Sequence, residues 1–137
     1  GDGQGAVKSL RSAQDSSAAK SSATKNLVAL YLNVADYAQA ADEAKSLSSS
    51  ESVEAALLVG LAQRAQGRFS DAVSAYNDGL KLKSSDARLL FNKAVALGAM
   101  ENVKEAAAAM QRYIEIEEPE TGHVSRKLLR AWREKIQ

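Results

Sequence analysis

Two groups of residues in this sequence are of types that carry out chemistry in proteins: a histidine and a run of carboxylates. His123 is the only histidine, and it follows Gly122 where the last helix is expected to begin. An imidazole can act as a general acid or base, but catalysis also requires a nucleophile, a paired acid or a metal ion. The position at a helix start favours a capping or exposed role for His123.

The run of carboxylates could in principle hold a hard cation. It comprises Glu115, Glu117, Glu118 and Glu120. These residues lack the alternating oxygen ligands and the glycine of a calcium loop, so a solvated acidic helix end accounts for them better. The sequence has no phosphate-binding glycine loop or His-rich metal spacing, and its lack of cysteine excludes thiol catalysis and cysteine-ligated metals. We expect no enzymatic activity, no metal site and no cofactor.

The composition of the chain favours a single all-α domain. Its 137 residues are 45% hydrophobic and 5% aromatic, and alanine and leucine prevail over valine and isoleucine. Eighteen basic and seventeen acidic residues create no overall field that would attract nucleic acid, and no apolar run approaches the roughly 18 residues of a membrane span. We therefore expect a protein or peptide partner, no nucleic acid and no direct membrane insertion. The alanine- and serine-rich composition is compatible with a bacterial cytoplasmic or periplasmic protein.

A pattern of small and apolar residues recurs along the chain. Its anchors are Ala40, Ala72 and Ala106, which are separated by 32 and 34 residues. Nine, twelve and sixteen residues before each anchor, further positions fall on one face of a helix. Short breaks, NVAD, AQGR and AMEN, lie between the two halves of each unit and suit a tight turn. Each unit is therefore predicted to be a helix, a turn and a second helix.

These units resemble tetratricopeptide repeats (TPRs). The best match, residues 53–86, places on the family's preferred positions Gly60, Gly67, Phe69, Ala72, Tyr76, Gly79 and Leu80. The following unit matches at Leu90, Ala94, Leu97, Ala106 and Ile114, but it has Tyr113 where a small residue is usual. The preceding unit is looser and is carried by Leu27, Tyr31, Tyr37 and Ala40. The resemblance implies an all-α fold, a right-handed superhelix of antiparallel helical hairpins (a TPR-like α-solenoid).

The repeat pattern divides this single domain into five segments. Residues 1–20 are predicted to be the second half of a truncated preceding repeat, and residues 21–52, 53–86 and 87–120 to be complete repeats. Residues 121–137 form an amphipathic helix that has no second half. We expect this helix to cap the open apolar end of the stack.

The resemblance also implies a binding face. In the family, the first helices of successive hairpins line a concave groove that binds an extended or helical peptide. The matching positions are Lys25, Asn26, Leu57, Leu58, Leu61, Arg64, Arg88, Phe91, Asn92 and Val95. Because the helix EAALLVGLAQRA is apolar nearly all round, its three leucines belong either to the groove floor or to the core.

One subclass of the family clamps the C-terminal carboxylates of heat-shock chaperones with lysine and asparagine side chains. Lys25 and Arg88 fit its pattern, whereas Ala29, Leu58 and Asn92 do not. Recognition of a carboxylate loses much of its strength when the donors are replaced by apolar groups. The sequence therefore favours an apolar or mixed peptide over a clamped carboxylate.

We predict a non-enzymatic protein-interaction module within a larger scaffold or assembly protein. The alternative is a structural module that self-associates into a homo-oligomer or multi-protein complex. Trp132 is expected to be buried beneath the last hairpin, or else to anchor a second interface on the cap with Arg126 and Arg130. Nucleic-acid binding by the basic last helix is a third hypothesis, against which the balanced overall charge counts.

The spacing predicts that Gly60 and Ala72 lie where the two helices of a hairpin cross. Helices can approach closely only where the facing side chains are small. Ala72→Leu should overpack this crossing and lower the free energy of unfolding by about 1–3 kcal/mol, measured by urea denaturation. An unchanged denaturation midpoint would place Ala72 away from any helix crossing.

Overall fold

The computed structural model describes residues 17–47 and 51–136, and the regular structure of these residues is helical throughout. Its seven α-helices are α1 (Ser17–Asn33), α2 (Tyr37–Lys45), α3 (Ser52–Ala65), α4 (Phe69–Leu82), α5 (Ala87–Ala99), α6 (Val103–Glu117) and α7 (Val124–Ile136). Each helix packs against the next, so that α1–α2, α3–α4 and α5–α6 form hairpins and α7 covers α6. The predicted all-α solenoid of stacked hairpins is confirmed.

The helix bounds lie near the predicted segment boundaries. Helix α1 begins at Ser17, before the expected repeat start at 21, while α3 and α5 begin at Ser52 and Ala87. The half-repeat predicted for residues 1–20 falls almost entirely outside the described residues. The last helix begins at Val124, just inside the segment 121–137 predicted for it.

The turns within the three hairpins share one backbone conformation. Gly67 has a φ of 77°, and the equivalent residues Ala35 and Glu101 both have a φ of 62°. After Gly67, the Arg68 N–H donates to the Gln63 carbonyl at 2.9 Å, and the same bond closes the other two turns at 2.8 and 3.0 Å. This is the Schellman arrangement, which favours glycine at the left-handed residue. Only one of the three turns has that glycine.

Helix α5 begins at a buried aspartate. Asp86 is 3% exposed. Its carboxylate accepts a hydrogen bond from the Leu89 N–H at 3.2 Å and so caps the first turn of the helix. At the other end of this hairpin, Glu118 adopts a left-handed φ of 48°, and Pro119 then prevents α6 from continuing.

The hairpins close on small residues, with large rings packed directly against them. Ala72 and Tyr76 are fully buried. A Cβ atom added to Gly60 would lie 2.2 Å from Cε1 of Tyr76, so only glycine permits this ring to rest on α3. Burial raises the pKa of Tyr76 to about 12. The predicted place of Gly60 at a close contact between α3 and α4 is confirmed, and Ala72 is buried in the same cluster as Tyr76.

The capping helix is held by a second contact between a ring and a glycine. Trp132 of α7 is 7% exposed and shares a core cluster with Leu97, Met110 and Leu129. A Cβ atom on Gly98 would lie 2.4 Å from Cζ2 of Trp132. The alternative that Trp132 anchors a partner is therefore wrong, because its ring is already buried against α5.

The Schellman turns predict a stabilising substitution. Glu101→Gly should raise the free energy of unfolding by about 0.5–1 kcal/mol, since it relieves roughly 1–2 kcal/mol of left-handed strain and costs roughly 0.4–1 kcal/mol of additional chain entropy. Urea denaturation of the whole chain measures the change. Gly67→Ala is the matched reverse substitution and should destabilise by a similar amount. A loss of stability in Glu101→Gly would contradict this assignment.

Candidate functional site

The face predicted to bind a partner is formed by α1, α3 and α5, the first helices of the three hairpins. Its half-buried apolar side chains are Leu58, Leu61, Phe91 and Val95, each packed partly against the core. Its polar side chains are Lys25, Arg64 and Asn92, which are half-buried, and Asn26 and Arg88, which are exposed. An incompletely buried apolar row between polar groups suits the recognition of a peptide.

Leu57 does not belong to this face. It is 7% exposed and packs in one cluster with Ala72, Tyr76 and Leu89. The prediction that Leu57 contacts a partner is wrong, and the core alternative holds for it. Leu58 points away from that cluster and packs partly against the first hairpin instead, so it stays a candidate.

An ion-pair cluster joins α3 to α5 beside the apolar row. The guanidinium of Arg88 lies 2.9 Å from the Glu54 carboxylate and 3.3 Å from that of Asp86. The bonds to Glu54 and then to Asp86 raise the pKa of Arg88. Glu54 and Arg88 are 34 residues apart and occupy the same position in successive repeats. The charge reversal at that position is the sequence signal that could have identified the pair.

Asp86 connects this cluster to the start of α5. Burial alone would raise the pKa of Asp86, but hydrogen bonds from Arg88 and from the Leu89 N–H, together with the charges of Arg88 and Lys83, hold it below its ordinary value. The carboxylate therefore stays ionised, and it both caps the helix and binds Arg88.

Lys25 is paired in a similar way at the junction of α1 and α3. Its ammonium lies 2.7 Å from the Glu51 carboxylate, which also accepts a hydrogen bond from the Ser21 hydroxyl. The hydrogen bond to Glu51 raises the pKa of Lys25. Both cations that fit the carboxylate-clamp pattern, Lys25 and Arg88, are thus bound by carboxylates of this chain.

A depression of about 470 Å³ opens between α5, α6 and the start of α7. It is lined by Ala87, Arg88, Phe91, Asn92, Tyr113, Glu117, His123 and Val124. The structure thus brings Arg88, Phe91 and Asn92 together, as the groove prediction implies. The other predicted groove residues lie outside this depression.

Three rings form a row along the depression. The centroids of Phe91 and Tyr113 are 5.1 Å apart with an interplanar angle of 59°, and those of Tyr113 and His123 are 6.2 Å apart with an angle of 26°. Sequence reasoning did not assign Tyr113, Glu117 or His123 to the binding face. The available signal was the tyrosine at a repeat position that is usually small.

His123 caps α7, as its position in the sequence predicts. Its Nδ1 accepts a hydrogen bond from the Ser125 N–H at 3.1 Å and lies 2.7 Å from the Ser125 hydroxyl. These bonds fix the ring beside Tyr113. The histidine therefore supports the wall of the depression.

The cap arginines lie around a second depression, of about 620 Å³, between α6 and α7. Arg126 donates to the Pro119 carbonyl at 2.8 Å, and Arg133 donates to the Gln111 side chain at 2.6 Å. Arg130 is exposed on the same rim. An interface that uses Arg126 and Arg130 stays a prediction, now without Trp132.

Neither a metal-binding cluster nor a membrane-spanning helix occurs in the described part of the chain. Within residues 17–47 and 51–136, no three His, Cys, Asp or Glu side chains are grouped so that they could hold a metal ion. None of the described helices is both long and apolar enough to cross a membrane.

Comparison with solved structures shows the same fold at low sequence identity. The Yersinia enterocolitica type III secretion chaperone SycD, in complex with a peptide of the translocator YopD, is 17% identical, with a TM-score of 0.75 over 83% of this chain and 92% of that one. The first TPR of Spaghetti (RPAP3), bound to the HSP90 peptide SRMEEVD, is 18% identical, with a TM-score of 0.77 over 85% and 93%. The Sgt2 TPR domain from Aspergillus fumigatus is 18% identical, with a TM-score of 0.75 over 85% and 79%.

A search of curated protein sequences gives no match to the chain. The family model for the tetratricopeptide repeat matches it twice, over residues 26–87 and 57–120. Since these two matches overlap and together span most of the sequence, the chain belongs to the tetratricopeptide repeat family.

Proposed function

We propose that this chain is a non-enzymatic receptor for a peptide segment of a partner protein, which binds along the face of α1, α3 and α5. The observation that carries the proposal is the row of half-buried apolar side chains that ends in the depression beside Phe91 and Tyr113. Two similar solved structures hold peptides, one of YopD and one of HSP90, which supports the same mode here.

The rigidity of the face also supports this function. The side chains along it stand on helices that are fixed by ring-on-glycine contacts and by the ion pairs of Glu51 and Glu54. A surface that is already ordered loses little conformational entropy on binding, so most of the ordering cost falls on the peptide. In this proposal, Leu58, Leu61, Phe91 and Val95 supply the apolar contacts, and Asn26, Arg64 and Asn92 bond to the peptide backbone.

Leu58→Glu tests this proposal. A carboxylate in the middle of the apolar row should weaken binding about tenfold or more, because its desolvation is uncompensated. A peptide selected on the wild-type chain from a random display library serves as the probe, and fluorescence anisotropy measures its affinity. Circular dichroism should show unchanged helix content.

Leu82→Glu is the matched control, since Leu82 is 65% exposed at the end of α4 and lies off the binding face. Equal binding by wild type and Leu58→Glu would remove Leu58 from the site. Arg88→Glu is a poor probe of binding, because a third carboxylate beside Glu54 and buried Asp86 would destabilise the start of α5.

Self-association stays the alternative function, and light scattering distinguishes it from the proposed one. A peptide receptor should show the mass of one chain at all concentrations. A mass that rises with concentration, and that falls back when Arg130 is replaced by glutamate, would favour an assembly module built through the cap.

A further inference from the structure

The depression beside Phe91 lies where one repeat departs from its neighbour. In the repeat of α3 and α4, Gly79 lets the next hairpin approach so closely that an added Cβ would lie 2.7 Å from Leu89 Cδ1. The same Cβ would also lie 2.9 Å from Ala56 Cβ on α3 of its own hairpin. In the following repeat the equivalent residue is Tyr113, and the equivalent of Leu89 is His123. Two rings thus stand where the preceding repeat has a glycine and a leucine, and the depression lies at this junction.

Part of the wall of this depression is apolar. The rings of Phe91 and Tyr113 form one part of it, with their centroids 5.1 Å apart. Val124, at the start of α7, is 50% exposed. Covering these groups with an apolar side chain removes their surface from water, which favours binding. The cavity volume of about 470 Å³ admits a large side chain such as phenylalanine, leucine or methionine.

The depression is lined by one cation that is already paired and one carboxylate that is not. Its one cation, Arg88, is already bound by Glu54 and Asp86. Across the depression, the carboxylate of Glu117 lines the rim and is exposed, with no ion pair or hydrogen bond to any described residue. Lys83 also lies 3.9 Å from Asp86, so two cations already face Glu54 and Asp86, and Glu117 is the carboxylate that a further cation would complement.

We propose that this depression selects a partner segment in which a large apolar residue stands beside a lysine or arginine. The apolar side chain packs between Phe91, Tyr113 and Val124, and the basic side chain pairs with Glu117. This inference rests on the proposed peptide-receptor function and narrows its partner to an apolar–basic segment. An acidic segment would meet Glu54 and Glu117, while Lys25 and Arg88 are already neutralised by carboxylates of the chain.

Selection from a random peptide display library on the whole chain tests the inference. Wild type should enrich peptides that have a large apolar residue next to lysine or arginine. Glu117→Lys should instead enrich aspartate or glutamate at the basic position. Glu115→Lys is the matched control, because it makes the same change of charge on α6 outside the depression and should leave the selected motif unchanged.

Anisotropy titrations with one selected peptide give the size of the effect. Glu117→Lys should weaken binding about three- to tenfold, because it places two cations together at an exposed position. Replacing the peptide's lysine by glutamate should restore the affinity, because the ion pair then forms again with its two charges exchanged. Tyr113→Ala should reduce the preference for the apolar residue, and a thermal melt confirms that this variant is folded.

The outcomes separate this inference from the function on which it rests. Enriched peptides that are acidic, or that do not respond to Glu117→Lys, overturn the inference. If Leu58→Glu still abolishes their binding, the receptor function stands. A wild-type chain that enriches no peptide over background overturns both.

Discussion

The rest of the structure depends on the close approach of neighbouring helices at glycine and alanine positions. At Gly60 the ring of Tyr76 occupies the space that a Cβ atom would need. This contact sets the separation of α3 and α4, and thereby the direction in which α3 presents Leu58 and Leu61. Because α5 packs in turn against the middle hairpin, the position of Phe91 follows from the same constraint.

The contact between a glycine and a large side chain differs from repeat to repeat, and each difference affects only the adjacent helices. Gly79 admits Leu89 at the junction between the second and third hairpins, whereas Tyr113 at the equivalent position stacks beside His123 and lines the depression at the junction with the cap. Gly98 then receives Trp132, so that the cap is still anchored. A solenoid tolerates such changes because each hairpin contacts only its neighbours. A tyrosine at one junction can therefore change that junction without disturbing the hairpins before it.

The charges on the binding face follow from the same stacking. Stacked repeats bring equivalent positions side by side, and Glu54 and Arg88 are such a pair. Exposed pairs of this kind contribute little to stability. Their larger effect is on recognition, because a cation that is already paired offers less to an incoming carboxylate. Lys25 and Arg88 have the charge of a carboxylate clamp, but their surroundings in the fold change what they can bind.

The sequence by itself determined the hairpins, the small residues at their crossings and the covering role of α7. These features depend on helical periodicity and on short-range backbone chemistry, both of which are visible in a local sequence pattern. The prediction becomes specific because the same pattern recurs at a constant spacing along the chain. Only the tertiary structure decided that Leu57 is core while Leu58 is open, that Arg88 is bound on two sides, and that Tyr113 and His123 line a depression with Phe91. Those outcomes depend on the rotation of each helix against the next hairpin, which is set by contacts between side chains about one repeat apart in sequence.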